Sequence, residues 1–539
     1  MLTNSHMELN SDQAFAYGAL AGNVKLVTGY PGSPSSRTIE YLARVGKKSG
    51  IYIEWCSNER VALEMAIGAS IVGKRALVCV KSVGMNVMLD PMMALNLTPL
   101  NGGLVILLGD DPGGYGSQNE QDTRLLAPML EMPLMEPASP AEAYQMMADA
   151  FSLSEKYHIP VIIRETRSFS QQAEPVEISI KLNKKPDFEY KRESLRFVPV
   201  PKNVQQKHKN LHQRLADFED WANRSPFNRI IGNGKTGIVA AGFTFKKLFD
   251  LFGGQIPPEL SLLKLSTLFP LPEKMIVDFL GGCQNILVLE ENEPFVEIGL
   301  KSIAQEHRYT GTIAGKRTGH LPREGELFRW QIQQALSSFL PDFTSEKVYL
   351  PEDEEKEKPY KESHCGDCRY DQVLTLLEEA AEGLGQKLVV VGDPGCLVTV
   401  ANRLDAKYAI GSAVAVADGI SNASSGLKPV ALIGDSGFFH STIPAICNAV
   451  HNNSSLLLVV LDNHSALTSG GQPHPGVNKN ILGEPAPGLN IQKISHACGI
   501  ESVGTVSLSA SDVELKYRFS QAMLQKKISM LIVEIPNTQ

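Results

Sequence analysis

Two short apolar runs that both end in acidic residues place the strongest limit on how this chain can fold. Residues 429–433 (Pro-Val-Ala-Leu-Ile) stop at Gly434-Asp435, and residues 456–461 stop at Asp462-Asn463. Runs of this length and composition are typical of strands buried in a parallel sheet. Because a right-handed crossover links such strands, their two polar ends should lie side by side at one edge of the sheet.

The segment between the two runs predicts the crossover helix. Ile443, Ile446, Cys447 and Val450 recur at the spacing i, i+3, i+4 and i+7. This spacing places all four side chains on one helical face, so we expect that face to pack against the sheet.

The polar ends of the two runs suit a metal ion that carries phosphate. The Asp435 carboxylate and the Asn463 amide oxygen are hard donors of the kind Mg²⁺ prefers, and phosphate oxygens commonly complete its ligand set. Gly434 and Gly437 flank the first carboxylate and allow the backbone to approach phosphate closely. The alternative is that these residues are polar caps on two ordinary strands.

The surrounding motifs are longer than a cap requires. Residues 434–440 (Gly-Asp-Ser-Gly-Phe-Phe-His), 462–463 (Asp-Asn) and 468–476 (Thr-Ser-Gly-Gly-Gln-Pro-His-Pro-Gly) occur in this order. Together they resemble the thiamine diphosphate motif of the 2-oxoacid:ferredoxin oxidoreductase family, most closely the large subunit of its indolepyruvate enzymes. The resemblance implies that Asp435, the Asn463 side chain and the Ser465 carbonyl hold Mg²⁺.

Further segments extend the resemblance from about residue 8 to residue 539. They are residues 29–36, 58–64, 117–122, 196–201 and 290–295. The resemblance places Ser33 at the substrate and Glu59 against the aminopyrimidine ring, where a carboxyl group favours the imino tautomer that removes the thiazolium C2 proton. Without the resemblance, Glu59 reads as an exposed first-turn residue stabilised by the helix N-terminus.

The resemblance also implies a full set of site residues. His440 and His474 are candidate catalytic residues beside Glu59, as proton donors or carboxylate binders, although either could simply shape its loop. Lys81 could pair with a substrate carboxylate, whereas a strand-end lysine is usually solvated. The implied cofactor-binding residues are Ser33, Glu59, Gly392, Asp393, Gly411, Ser412, Gly434, Asp435, Ser436, Gly437, Asn463, Thr468 and Gly470.

The cysteines match only part of the family pattern. Cys365, Cys368 and Cys396 resemble three of the four ligands of the family's [4Fe–4S] cluster, but residues 535–539 contain no fourth cysteine. No C-x₂-C-x₂-C-x₃-C run of a two-cluster ferredoxin occurs either. A three-cysteine cluster, an outside ligand and loss of the cluster all stay open. Zinc is the weaker alternative, because one CxxC supplies half a site.

Alternating apolar and helical segments predict an α/β protein with a thiamine diphosphate-binding fold. At 539 residues, the chain is too long for one core. We expect two cofactor-binding α/β domains and a transketolase C-terminal-like α/β domain between them. The expected boundaries are a pyrimidine-binding domain at 1–180, a polar linker with an exposed helix at 181–231, the transketolase-like domain at 232–345, a solvated charged linker at 346–364 and a diphosphate-binding domain at 365–539.

Composition narrows the possible partners. A net charge of −8 argues weakly against nucleic acid, and no apolar run is long enough to span a membrane. The first residues lack the pattern of a signal peptide, so the expected location is the cytoplasm. In thiamine enzymes the two ends of the cofactor usually lie on domains of different protomers, which implies a homodimer.

These features favour oxidative decarboxylation of a 2-oxoacid, such as an aryl pyruvate, to an acyl-CoA. CoA would be the co-substrate, and the implied partners are a smaller β-type subunit and a ferredoxin-like electron acceptor. A redox-silent thiamine diphosphate-dependent decarboxylase or carboligase is the alternative, because it needs the same cofactor residues and no electron path. A non-enzymatic scaffold is disfavoured by the intact cofactor motifs.

Overall fold

The computed structural model describes residues 5–46, 49–180, 192–193, 195–340, 343, 347–359, 369–424 and 426–536. Its contacts separate two compact units, Met1–Ile53 with Glu59–Lys361 and Glu54–Asn58 with Glu362–Gln539. Strands and helices alternate along both units, which confirms the α/β class expected from the sequence.

The first unit contains a seven-stranded sheet built on apolar strands. Every residue of its central strand is buried, as expected where helices cover both faces of a sheet. In spatial order the strands are β12 (Thr267–Phe269), β6 (Leu134–Met135), β7 (Val161–Thr166), β5 (Leu104–Asp110), β4 (Ala76–Lys81), β2 (Leu26–Gly29) and β3 (Tyr52–Trp55). The helices of this region are α1 (Ser11–Ala21), α2 (Ser36–Val45), α3 (Glu59–Ile71), α4 (Ser82–Leu95), α5 (Leu126–Leu130), α6 (Pro140–Tyr157) and α7 (Arg167–Ser170).

A two-stranded ribbon and a second sheet complete the first unit. The ribbon pairs β1 (Ser5–Asn10) with β8 (Ala173–Ile178) in antiparallel fashion. The second sheet has the order β14 (Thr312–Ala314), β13 (Asn285–Leu289), β10 (Thr236–Ala241), β11 (Leu260–Leu265) and β9 (Arg229–Gly232). The remaining helices are α8 (Val204–Ala222), α9 (Gly242–Leu251), α10 (Glu273–Gly282), α11 (Phe295–Glu306), α12 (Arg329–Phe339) and α13 (Glu354–Glu357).

The second unit is built on a six-stranded sheet in which every strand pair is parallel. Its spatial order is β16 (Ala406–Lys407), β15 (Leu388–Gly392), β17 (Lys428–Gly434), β18 (Leu457–Asp462), β20 (Ser529–Glu534) and β19 (Ser502–Ser507). Its helices are α14 (Tyr370–Gly383), α15 (Ala413–Ala423), α16 (Asp435–Gly437), α17 (Ile443–His451), α18 (Ile491–Ala497) and α19 (Asp512–Met523). The two strands predicted from residues 429–433 and 456–461 are therefore adjacent and parallel, with Gly434 paired to Leu461.

Three local expectations differ from the structure. Helix α8 is not fully exposed, because Leu211 and Phe218 are buried, the latter 5.3 Å from the Tyr157 ring. Two apolar residues in a polar helix gave a weak pattern, yet they suffice to anchor it. On α17 the expected apolar face is wrong at Cys447, which is exposed, while Ala449 turns inward.

The charged segment also differs from the expected solvated tether. Residues 351–357 form two short helical turns. The Arg329 guanidinium donates to Glu357 at 2.8 Å, so this ion pair holds the segment against α12. The sequence alone predicts a tether because Arg329, the partner of Glu357, lies more than twenty residues away in the chain.

Among the helices of the described residues, none combines the length and the apolar character needed to cross a lipid bilayer.

Two buried carboxyl groups in the first unit lack compensating cations at hydrogen-bond distance. Asp12 lies in the first turn of α1 and Glu165 on β7, and both are buried. Within the described residues, Asp12 Oδ2 and both Glu165 oxygens have no hydrogen-bond partner. Burial raises the pKa of Asp12 to about 7 and that of Glu165 well above its ordinary value.

We predict that Asp12→Asn increases stability at pH 8 and that the gain shrinks towards pH 4. Between the ordinary pKa of 3.8 and the folded-state pKa of about 7, the folded state holds a proton that the unfolded state releases. Wild-type stability is therefore lost as pH rises through that window, whereas an amide does not titrate. We expect a gain of about 1–4 kcal/mol at pH 8 by denaturant unfolding. The exposed Asp278→Asn should show no such trend, and a pH-independent Asp12→Asn difference would contradict this account.

Candidate cofactor site

The predicted site residues of the second unit converge where the strand order changes direction. Strand β15 lies between β16 and β17. The chain runs from β15 to β16 on one side of it and then crosses to β17 on the other side. A crevice opens at the carboxyl ends of parallel strands at such a point, and it is a common ligand site in α/β sheets. Asp393 follows β15 and Asp435 follows β17 directly at this edge.

Asp393 organises the loop that precedes α15. Its Oδ2 accepts the Gly411 amide at 2.5 Å, and its Oδ1 accepts the Ala413 amide at 2.9 Å. Burial raises the pKa of Asp393 to about 6, although these backbone N–H groups act in the opposite direction. Gly411 has φ +82°, and a Cβ there would lie 2.6 Å from Ser441 Cβ, so this position requires glycine.

Ser412 has an unused polar group. Its Oγ is buried and has no hydrogen-bond partner within the described part of the chain. A buried hydroxyl without a partner is costly, and a ligand oxygen would satisfy it. This observation fits a phosphate-bearing group next to the loop of residues 411–413.

The Asp435 carboxylate receives three donors from separate segments. The Ser436 amide lies 2.8 Å from Oδ1, while the Ser465 amide and His474 Nε2 lie 3.2 and 3.1 Å from Oδ2. The side chains of Asp435 and His474 are 2% and 6% exposed, so water screens this pair little. These contacts fix the orientation of the carboxylate.

His474 is held in one tautomer by its second nitrogen. Nδ1 accepts the Gly476 amide at 3.1 Å, so the Nε2 position carries the proton that points to Asp435. The role of His474 as a proton donor stays a prediction, and the group that its Nε2 contacts in this structure is Asp435. His440 is also buried, and its Nδ1 lies 2.6 Å from Ser441 Oγ.

Asn463 faces the same region from the end of β18. Its Oδ1 accepts the Ser465 amide at 3.1 Å, and its Nδ2 donates to the Tyr370 hydroxyl at 3.1 Å. Ser465 was expected to offer its carbonyl, and the group it presents to both Asp435 and Asn463 is its amide N–H. Tyr370 carried no sequence signal, because it lies on α14, far from the motif.

Asp462 and His464 belong to the cluster although neither was predicted as a ligand. One ligand atom from each of Asp435, Asp462 and His464 lies within 4.8 Å of the others. Burial, together with the neighbouring charge of Asp435, raises the pKa of Asp462 to about 6. The sequence did contain an indication that Asp462 could be a ligand, because this residue stands directly before Asn463 at a strand end.

The donor chemistry of this cluster fits Mg²⁺. Asp435, Asp462 and Asn463 offer hard oxygen atoms at one sheet edge, and a cation there would offset the repulsion between the buried Asp435 carboxylate and the partly buried Asp462 carboxylate. A diphosphate would complete the ligand set, and the unpaired Ser412 hydroxyl lies on a loop of the same edge.

The third predicted cysteine lies beside the same loops. Cys396 Sγ is 3.3 Å from Thr468 Oγ1, which places one predicted cluster ligand next to one predicted cofactor ligand. Gly470 has φ +128°, a conformation that other residues rarely adopt. Cys365 and Cys368 lie outside the described residues.

The first unit presents Glu59 as a buried carboxyl group. Glu59 begins α3 and is 5% exposed, so the alternative of an exposed first-turn residue is wrong. A Cβ at Gly84 would lie 2.6 Å from Glu59 Cγ, so only glycine permits this approach between α3 and α4. The carboxyl group is thereby held at the carboxyl edge of the seven-stranded sheet.

Gly32, the residue before Ser33, lies close to Lys81 at this edge. A Cβ at Gly32 would lie 2.8 Å from Lys81 Cβ. Lys81 Nζ donates to the Gly116 carbonyl at 2.7 Å and lies 3.7 Å from Asp111. Burial lowers the pKa of Lys81 to about 8, so this lysine is not the solvated residue that its strand-end position suggested.

Comparison with known proteins assigns both regions. The family described as pyruvate flavodoxin/ferredoxin oxidoreductase, thiamine diP-binding matches residues 17–216, and the thiamine pyrophosphate enzyme C-terminal TPP-binding domain matches residues 394–533. The indolepyruvate oxidoreductase subunit IorA of Methanothermobacter thermautotrophicus is 34% identical over 93% of this chain and 82% of its own length. The IorA of Pyrococcus abyssi is 34% identical over 97% of this chain and 84% of its own.

The chain belongs to the indolepyruvate oxidoreductase IorA family. It is a thiamine diphosphate-type 2-oxoacid oxidoreductase subunit, and the expected thiamine-binding fold is confirmed. Among solved structures, a 2-oxoglutarate:ferredoxin oxidoreductase from Magnetococcus marinus aligns at 15% identity with a TM-score of 0.46, over 62% of this chain and 65% of that chain.

Proposed function

We propose that this subunit catalyses the oxidative decarboxylation of an aryl pyruvate to an acyl-CoA and passes the electrons to an iron–sulfur partner. The observation that carries the proposal is the arrangement at Asp435, where a buried carboxylate oriented by three donors lies beside Asp462 and Asn463. The IorA relatives are named as subunits of indolepyruvate oxidoreductase, which supports an aryl pyruvate as the substrate.

In this proposal Asp435 and Asn463 hold Mg²⁺, with Asp462 as an additional acidic neighbour. Ser412 binds the diphosphate of the cofactor, and the Asp393 contacts hold its loop in place. Thiamine diphosphate, when bound, supplies the electron sink for the electrons released with CO₂. His474 keeps the Asp435 carboxylate oriented.

Glu59 moves the proton at the pyrimidine end of the cofactor. A buried carboxyl group that approaches a ligand nitrogen can exchange a proton with it without competition from water. In this proposal Lys81 binds the carboxylate of the oxoacid, and its contacts with the Gly116 carbonyl and Asp111 hold the ammonium group in position. Ser33, which follows Gly32, is the residue proposed to meet the substrate with its hydroxyl.

The electron path requires a second polypeptide in this proposal. Cys365, Cys368 and Cys396 supply three thiolates where the family's cluster uses four, and the sequence has no ferredoxin-type cysteine run. A smaller β-type subunit and a ferredoxin-like acceptor fill that role, and the functional assembly is a homodimer of this subunit with its partners.

The same cysteine pattern favours one other candidate, a non-oxidative decarboxylase or carboligase. Such an enzyme keeps the residues around Asp435 and Glu59 and needs no cluster. It releases CO₂ and an aldehyde or a carboligation product, so the products distinguish the two reactions.

We predict that Asp435→Asn weakens Mg²⁺-dependent binding of thiamine diphosphate by about 100-fold, equivalent to ~3 kcal/mol. The amide keeps the size of the side chain but removes the charge that neutralises the metal. Calorimetric titration measures the effect. Asp405→Asn is the control, because Asp405 accepts one backbone amide on the same sheet and is exposed. Equal affinities for wild type and Asp435→Asn would refute the assignment.

We predict that Glu59→Gln retains cofactor affinity within a few-fold and slows exchange of the thiazolium C2 proton by about 10²–10⁴-fold. Glutamine can still form a hydrogen bond, but it cannot hold and release the proton. Exchange followed by NMR tests this prediction. Glu64→Gln, which alters an exposed residue of the same helix, should behave as wild type. Wild-type exchange in Glu59→Gln would remove this residue from the mechanism.

We predict that the isolated chain gives no CoA-dependent reduction of a low-potential dye with indolepyruvate, and that adding the β-type subunit and its iron–sulfur partner restores it. The electrons have no complete path through the cysteines of this chain. Anaerobic assays with and without the partners measure the difference. Rapid dye reduction by the chain alone would contradict the electron-path proposal, and CO₂ with aldehyde under every condition would establish the non-oxidative alternative.

A further inference from the structure

Two histidines on α8 point at one carboxylate. His208 and His212 are four residues apart, so their rings leave the same helical face one turn apart. His208 Nε2 lies 2.6 Å from Glu131 Oε2, and His212 Nε2 lies 2.7 Å from Glu131 Oε1. The ring centroids are 4.3 Å apart. Three potential ligand atoms therefore converge on one point.

The backbone on each side of this group is well anchored. Leu211 and Phe218 are fully buried and fix the rotation of α8, so the histidine face has a defined direction. Glu131 is the residue that ends α5, and its amide donates to the Pro128 carbonyl. Helix α8 and the turn at Glu131 can therefore hold a shared ion without a large movement of either backbone.

Glu131 is an unusual residue for its position. Its φ is +51°, a left-handed conformation that favours glycine or asparagine after a helix. A residue with a long side chain is disfavoured here, and the exposed hydrogen bonds to two histidines are a small compensation. A role of the carboxylate as a ligand explains a glutamate at this position better than these two hydrogen bonds do.

The donor set identifies the class of ligand. Two imidazole nitrogens and one carboxylate oxygen match the three-ligand zinc sites that keep a position for water. Mg²⁺ and Ca²⁺ prefer oxygen donors alone, so histidine disfavours them. The three ligand atoms lie within 4.8 Å of one another, and tetrahedral coordination at about 2.0–2.2 Å needs separations of roughly 3.3 Å, which small side-chain adjustments provide.

We propose that Glu131, His208 and His212 form a binding site for a divalent transition metal ion, with Zn²⁺ as the preferred ion. Binding replaces the two exposed hydrogen bonds with three metal–ligand bonds, and each imidazole then carries its proton on Nδ1 while Nε2 binds the ion. The ion cross-links the turn after α5 to α8. It is independent of the cofactor chemistry, because none of its ligands belongs to the proposed thiamine site.

The test is a Zn²⁺ titration of the untagged full chain, first stripped of metal and then saturated with Mg²⁺ and thiamine diphosphate. The saturation prevents zinc from occupying the cluster of Asp435, Asp462 and His464. Both proteins keep Cys365, Cys368 and Cys396, so any zinc bound by these thiolates is common to them. We expect wild type to bind one zinc ion more than the His208→Ala/His212→Ala double variant, with the affinity of that additional site reduced at least about 100-fold in the variant, beyond the 10–100-fold typical of a lost outer-shell partner. The difference between the Co²⁺ spectra of wild type and variant should show the visible absorption of tetrahedral coordination.

Two further variants separate metal binding from folding. In wild type, zinc binding should raise the melting temperature. Glu131→Gly removes the cost of the left-handed backbone, so it should raise the melting temperature of the metal-free protein. It should also abolish the increase in melting temperature that zinc produces. His307→Ala is the control, since it removes an exposed histidine that lies 2.9 Å from the single carboxylate of Glu273. It should leave zinc binding unchanged. Equal zinc affinity in wild type and the double variant, or a zinc-dependent increase that survives Glu131→Gly, would overturn the proposal.

Discussion

The convergence of three donors on the Asp435 carboxylate is the constraint on which the cofactor site depends. A buried carboxylate is costly unless charge and hydrogen bonds compensate it, so its neighbours must be placed accurately. The amides of Ser436 and Ser465 and the His474 ring meet this requirement from three segments. Parallel pairing of β17 with β18 brings the first two together, because it aligns Gly434 with Leu461.

Two aspartates at the same sheet edge have different surroundings. Asp393 uses both oxygens on backbone amides and so shapes the loop before α15. Asp435 remains next to Asp462, where a cation would relieve the repulsion between them. Structural support and the proposed metal binding thus use the same residue type on neighbouring strands.

The first unit contains buried ion pairs around two arginines, and one of these pairs reaches the five-stranded sheet. Arg124 donates to Asp122 and to Glu290, which follows β13 of the five-stranded sheet. Arg164 on β7 donates to Asp110 and Glu136. All of these side chains are at least nine-tenths buried, so removing one partner would leave an uncompensated charge inside the unit.

Much of the fold could be predicted because local pattern decides it. Buried parallel strands are continuous apolar runs, so the strands near Ala76–Lys81 and Leu457–Asp462 were recognisable without tertiary information. Strands that pair at an edge carry weaker patterns. Thr267–Phe269 joins the seven-stranded sheet although the preceding strand belongs to the five-stranded sheet, and no local signal announces that change.

By itself the sequence determined the α/β class, the family and the positions of Asp435 and Asn463, because motif order and strand-end glycines are local properties. Only the tertiary structure decided which partners those residues meet. Tyr370 beside Asn463 and Glu131 between two histidines come from distant segments. The physical reason is that hydrogen bonding, burial and metal coordination depend on distances in space, and those distances exist only after the sheets and helices have packed.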